Sequence, residues 1–213
     1  MLHIAAFVFN AFQENTYIIY NDKQQCWIVD PGMYDEHEKS ALTKYINDNQ
    51  LTPQAIINTH GHIDHIFGIK ALKDKYNIPF LIHEKEQPIL NNAVGSAMLF
   101  GFEMNENPVP DAFIKQGAVL ALGDEYVDVR FTPGHSPGSI SFYYQPGNWV
   151  IAGDALFAGS IGRTDLPGGN HETLLNSIRE QLFNLPEQTT VYSGHGPATT
   201  IGNEIKYNPF FQE

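Results

Sequence analysis

Four side chains able to bind a metal ion fall within six consecutive residues of the segment Thr59-His60-Gly61-His62-Ile63-Asp64-His65. Imidazole nitrogen and carboxylate oxygen are the donor set of zinc and similar borderline divalent metals, and Gly61 lets the backbone turn so that neighbouring rings converge. A polar turn carrying solvated histidines is the competing reading, and three further residues weaken it. His135 in TPGHSPGS, Asp154 in IAGDALF and His195 in YSGHGPAT each follow an apolar run and each stand beside glycine. Five of the nine histidines thus sit just past strand-like runs, where a rigid scaffold can present ligands from loops.

The elements that must position these residues are legible in outline. LHIAAFVF, TYIIY and CWIVD read as three strands joined by turns, stopped by Pro31 and Gly32. EHEKSALTKYINDNQ has apolar residues at Ala41, Leu42, Tyr45 and Ile46, a helical spacing, and the strand-like AIINT leads into His60. A helix around FGIKALKDKY, a strand FLIH and a short helix in KEQPILNN follow, and NAVGSAMLFGFEMNENPVPDA reads as a long loop without period. The second half offers strands near EYVDVRFT, SISFYY, NWVIAG and TTVYSG, with the amphipathic helix HETLLNSIREQLF before the last. Thr199, Thr200 and Glu204 are placed to cap and anchor a final helix. Strand runs with flanking helices predict two sheets packed face to face and covered by helices, an α/β layered sandwich in one domain spanning residues 1–213.

Composition narrows the function classes. Hydrophobic residues at 42% and charged residues at 17% are the balance of a soluble enzyme. A net charge of −12 disfavours binding to phosphate backbones, which depends on Lys and Arg neutralising phosphates, so no nucleic-acid partner is expected. No run approaches the roughly 20 apolar residues that span a bilayer, and the opening MLHIAAFVFNAF lacks the features of a signal peptide, so a cytoplasmic protein without membrane attachment is expected. Cys26 is the only cysteine; it reads as a small core residue of a strand or, alternatively, as a reactive thiol.

The HxHxDH motif followed by a spaced His, Asp and His resembles the metallo-β-lactamase superfamily over nearly the whole chain. That resemblance implies an αββα fold in which His60, His62 and His135 hold one ion, Asp64, His65 and His195 a second, and Asp154 bridges the two. Two divalent ions, zinc first with iron or manganese as alternatives, would lower the pKa of a shared water toward about 7 and so supply hydroxide as nucleophile. Asp64 has a second role open to it, as proton acceptor. Common dizinc β-lactamases carry Cys where this chain has Asp154 and lack the equivalent of His65, which points away from antibiotic cleavage. NTYII, VDPG, TPGHSPGSISFY, AGDALFAGSIGRTDLPGG and SGHGPATTIGNE are instead similar to the glyoxalase II branch, and GRTDLPGG to its short type, which lacks the C-terminal helical domain. The activity that this resemblance implies is hydrolysis of a small acyl-thioester, glutathione-based in that family, by a monomer or homodimer.

Rival readings remain at this stage. A persulfide dioxygenase uses a single iron on residues corresponding to His60, His135 and Asp154, and a lactonase uses the same dimetal chemistry on a cyclic ester. A non-catalytic metal-binding module is disfavoured because structural metal sites close their coordination shell. Arg163, one of three arginines, reads either as a clamp for a substrate carboxylate or as an ion-pair partner of Asp165. Met98, Leu99, Phe100 and Phe102 could line a pocket mouth, form a buried connector or make a dimer contact. His3, His37, His83 and His171 fit no ligand spacing and read as surface or structural residues.

Overall fold

In the computed structural model, which describes residues 1–212, the first three apolar runs pair as an antiparallel meander: β1 (Leu2–Phe9), β2 (Glu14–Asn21) and β3 (Gln25–Val29). The chain then turns parallel, through β4 (Thr52–Ile57), β5 (Phe80–His83) and β6 (Ala112–Ile114), in a six-stranded sheet ordered β1-β2-β3-β4-β5-β6. Parallel neighbours need crossover connections. Helix α1 (Glu36–Asp48) supplies the first, and α2 (Ile69–Tyr76) the second. These elements form one of two compact units, Met1–Ile114 with Leu122–Glu125.

Helix α1 starts where the Asp35 side chain accepts a hydrogen bond from the Glu38 amide, satisfying a donor that the first turn leaves unpaired. Its buried face carries Leu42 and Ile46, which pack with Ile18, Ile28, Ile56, Ile69 and Leu72 into the core of the unit. Truncating such a fully buried leucine to alanine typically costs about 2–5 kcal/mol. Two short helices follow β5: α3 (Gln87–Leu90) and α4 (Ala93–Leu99).

The second unit comprises Lys115–Ala121 and the chain from Tyr126 onward. Its sheet runs β14-β13-β10-β9-β8-β7, with β7 (Val119–Leu122), β8 (Glu125–Phe131), β9 (Ile140–Tyr144), β10 (Trp149–Gly153), β13 (Thr190–Ser193) and β14 (Thr199–Thr200). β11 (Leu156–Phe157) and β12 (Ser160–Ile161) form a small separate hairpin. Helix α5 (His171–Ser177) connects to β13 through a π-helical turn, Ile178–Leu182, and α6 (Ile201–Tyr207) closes the unit. Leu174, Ile178, Leu182, Val191 and Ile201 pack there with Val150 and Leu156. The chain is therefore a mixed α/β protein with two β-sheets flanked by helices.

The structure corrects the sequence reading at one segment. Residues 92–112, expected as loop, contain α4, whose buried Ala93 and Ala97 are one helical turn apart. Only two alanines face the core, and Gly95 interrupts the run, so the apolar period was too weak to see. Strands β6, β7, β11, β12 and β14 were also missed, being two to four residues long. Among the described residues no helix is long and apolar enough to cross a membrane.

Candidate metal centre

In the first unit, β4 delivers the chain to His60, and a single 3-10 turn, Ile63–His65, follows. His60, His62 and His65 are thereby brought together: the His60 ring centroid lies 4.8 Å from that of His62 and 4.1 Å from that of His65. Asp64 Oδ2 is 3.7 Å from His65 Nε2. Side chains from other elements pin the loop. Asn58 Nδ2 donates to the carbonyls of His65 (2.8 Å) and His60 (3.2 Å), and Asn10 Nδ2 donates to the Asp64 carbonyl at 2.9 Å. Glu86 Oε2 accepts the Gly61 N–H at 2.8 Å. Gly61 is closely packed rather than left-handed, since a Cβ there would lie 3.1 Å from Leu90 Cδ2 and 3.3 Å from Glu86 Oε2.

The proton positions on two of these rings follow from Asp30. Its buried carboxylate takes the Thr59 N–H on Oδ1 (2.7 Å), and on Oδ2 the Thr59 hydroxyl (2.6 Å) and His65 Nδ1 (3.1 Å). A carboxylate only accepts, so His65 carries its proton on Nδ1 and presents the Nε2 lone pair. The Thr59 hydroxyl, having given its proton to Asp30, accepts at 3.1 Å from His60 Nδ1, which leaves Nε2 as the lone-pair nitrogen of His60 as well. This is how metal-binding histidines are held in the ligating tautomer. Both Asp30 oxygens are engaged in orienting, so Asp30 is a positioning group. Burial holds the nearby Glu14 carboxyl well above the ordinary carboxylate range; His65 opposes this and Asp30 adds to it.

In the second unit, His135 follows β8, Asp154 follows β10 and His195 follows β13. Asp154 Oδ2 lies 3.5 Å from His135 Nε2 and 3.5 Å from His195 Nε2. His135 Nδ1 donates to the Arg163 carbonyl at 2.8 Å, again leaving Nε2 to present its lone pair. Gly134, at φ +130°, lets the loop pass the backbone of α5, where a Cβ would stand 2.3 Å from the Leu174 nitrogen. Gly162 is equally constrained: a Cβ would meet the Asp154 carbonyl oxygen at 1.9 Å and His135 Nδ1 at 3.1 Å.

These groups fit a metal on the chemistry of their donors. Two ligand atoms each about 2.1 Å from one tetrahedral ion stand roughly 3.4 Å apart. The Nε2–Oδ2 separations of 3.5, 3.5 and 3.7 Å are of that size.

The remaining residues singled out in the sequence are placed as follows. The Arg163 side chain is half exposed and makes a two-pronged pair with Asp165, Nε to Oδ1 and Nη2 to Oδ2 both at 2.7 Å, which lowers the Asp165 carboxyl to about 2. Phe102 packs against Phe12, Tyr34 and Phe67, each at 5.2 Å between centroids, whereas Met98 and Leu99 are 80% and 84% exposed. Cys26 is buried, and burial pushes its thiol to about 12. Thr200 caps α6. His3, His37 and His171 are exposed; His83 is buried, with Nδ1 accepting the Lys85 N–H. Asp30, Thr59, Asn58, Asn10 and Glu86 went unrecognised in the sequence. For Asp30 one signal existed, an acid at the end of the apolar run CWIVD before Pro-Gly.

The family model of the metallo-beta-lactamase superfamily matches residues 9–195, and the chain belongs to that superfamily. It is 46% identical over 200 residues to the "Probable metallo-hydrolase YqgX" of Bacillus subtilis, covering 93% of this chain and 92% of the relative. It is 35% identical over 202 residues to "Hydroxyacylglutathione hydrolase GloC" of Haemophilus influenzae, covering 94% and 93%. Among solved structures, the BLEG-1 B3 metallo-beta-lactamase superposes with a TM-score of 0.91 at 42% identity, covering 99% of this chain and all of that one. TTHA1623 in a di-iron-bound form gives 0.87 at 34% identity, covering 97% and 99%. The two-sheet architecture is that of the metallo-β-lactamase fold, and the chain is a metallo-hydrolase by family.

Proposed function

We propose that this metallo-hydrolase is a thioesterase of hydroxyacylglutathione hydrolase type, acting on a small acyl-thioester through two divalent metal ions. On this reading His60, His62 and His135 would hold one ion and Asp64, His65 and His195 the other, with Asp154 shared by the two sets. The observation that carries it is Asp154 Oδ2 standing 3.5 Å from the Nε2 atoms of both His135 and His195, the geometry of a carboxylate shared between ligand sets. Support for a pair of ions comes from the di-iron-bound relative, and support for the substrate class from GloC.

A bound pair of divalent ions supplies an activated water as nucleophile and charge stabilisation for the carbonyl oxygen. The chain's own residues do the rest. Asp30, Thr59 and the Arg163 carbonyl keep three imidazoles in the lone-pair-out tautomer. Asp64, part-exposed beside His65, is placed to take the proton of the attacking water. A thiolate leaves without a protein acid because thiols ionise near neutral pH. Arg163 is assigned to the substrate's carboxylate, for which it would exchange its exposed partner Asp165.

The test is metal analysis of protein purified without added metal, together with assays on S-lactoylglutathione, glutathione persulfide and a β-lactam. Two ions with thioester cleavage supports the assignment. One iron with oxygen uptake on the persulfide would replace it by a dioxygenase, and cleavage of the β-lactam alone by an activity like that of the B3 relative.

A further inference from the structure

Glu204 lies on α6, nine residues beyond His195, and is fully buried. A buried carboxylate is costly unless every oxygen is satisfied. Here both are. Oε2 accepts the Gly159 N–H at 2.9 Å and Asn208 Nδ2 at 2.8 Å; Oε1 accepts the Thr199 hydroxyl at 2.6 Å and Asn203 Nδ2 at 2.9 Å. Asn208 Nδ2 also donates to the Ser160 carbonyl at 3.0 Å.

The partners matter because of what they are attached to. Gly159 lies in the turn of the β11–β12 hairpin and Ser160 opens its second strand; the hairpin follows Asp154 directly and leads into Gly162 and Arg163. One root of the hairpin therefore carries the carboxylate proposed to bridge the ions. The other carries the carbonyl that fixes the His135 tautomer. The roots are packed so closely that a Cβ on Gly162 would meet the Asp154 carbonyl oxygen at 1.9 Å and His135 Nδ1 at 3.1 Å, which leaves them little room to shift independently. Thr199, on the opposite oxygen of Glu204, terminates the loop that begins at His195.

We infer that Glu204 is a positioning residue for the metal centre: its one carboxylate ties the hairpin that carries Asp154 and orients His135 to the loop that carries His195. Capping of α6 needs none of this, since Thr200 caps the helix by accepting the Asn203 N–H, and the anchoring that Glu204 adds runs to the two segments that lead to the site. The inference rests on the metal-centre reading above but not on the substrate assigned there.

The experiment measures zinc affinity by competition with a chromophoric chelator, alongside the melting temperature of the metal-free protein, for wild type, Glu204→Ala, Glu204→Gln and Thr199→Val. Substitutions in the groups that hold metal ligands typically cost 10- to 100-fold in affinity, so Glu204→Ala is expected to bind zinc at least about 10-fold more weakly. Glu204→Gln keeps an acceptor for Gly159 and Asn208, and on the other side the Thr199 hydroxyl can rotate and the Asn203 amide turn over to accept from the new amide, so it should return to within about threefold of wild type. Wild-type affinity in Glu204→Ala with only a lowered melting temperature would overturn the inference. If Glu204→Ala does not fold, Thr199→Val decides: it cuts the tie to the His195 loop, along with a longer 3.2 Å bond from Asn203 Nδ2 that leaves Asn203 its bond to Glu204, and is expected to weaken zinc binding about three- to tenfold, with unchanged affinity overturning the role. A wild-type protein that binds no metal refutes the metal-centre reading itself; one that binds two ions but cleaves no thioester refutes only the substrate assignment.

Discussion

Replacing Asp30 by Asn leaves the side-chain volume almost unchanged and exchanges one accepting oxygen for a donating amide. The remaining oxygen can satisfy the Thr59 N–H at 2.7 Å, which leaves the new amide facing the Thr59 hydroxyl and His65 Nδ1, both of which now donate toward Asp30. To avoid donor facing donor, His65 must shed its Nδ1 proton and carry one on Nε2, the nitrogen proposed to bind metal. The Thr59 hydroxyl must rotate toward His60 Nδ1, with the same consequence for His60. Loss of one charge-assisted hydrogen bond is worth about 1.5–3 kcal/mol. A substitution of this kind typically weakens metal binding 10- to 100-fold, or about 1.4–2.7 kcal/mol, so two independent routes agree. Asp30→Asn should therefore bind zinc at least about 10-fold more weakly in chelator competition, with hydrolysis reduced in parallel. The reasoning is refuted if the variant keeps the melting temperature of the metal-free wild type and binds zinc within twofold of it.

Four further outcomes are expected. His62→Ala and Asp154→Ala should abolish hydrolysis and lower the metal content measured by plasma emission; normal activity with full metal in either would remove that residue from the ligand set. Arg163→Ala should raise KM for an anionic thioester with kcat little changed, whereas unchanged kinetics and a lower melting temperature would leave only the Asp165 pair as its role. Gly162→Ala should lose about 1–3 kcal/mol of stability by denaturant melts, together with metal affinity, because a Cβ would lie 1.9 Å from the Asp154 carbonyl oxygen. Cys26, its thiol pushed to about 12 by burial, should resist thiol reagents at pH 8 until the protein unfolds. Since the folded state disfavours its thiolate, its contribution is intact below the unfolded pKa of about 8.5 and declines as pH rises beyond it; labelling of native protein at pH 8 would contradict the buried placement.

The proposed ligand residues were legible as candidates because their chemistry is compressed into sequence-local patterns. HGHIDH packs donors too densely for a solvated turn, and His135, Asp154 and His195 each follow an apolar run long enough to register as a strand. The longer elements were legible for the same reason: α1 repeats its apolar face over 13 residues, and β1 to β3 carry their own strand patterns. Short elements were not. The two-residue strands β11 and β12 have no period, and they exist because the chain between Asp154 and Arg163 must double back on itself.

Tertiary structure alone decided which groups orient the proposed ligands. Nothing in the residue order says that Asp30 governs the protons of His60 and His65, that Asn10 reaches Asp64 across 54 positions, or that Glu204 joins Gly159 to Thr199. A ligand is recognisable from its own donor atom, whereas a positioning residue is defined by a distance of about 3 Å to a partner remote in sequence, and that distance is set only when the sheets and helices have packed.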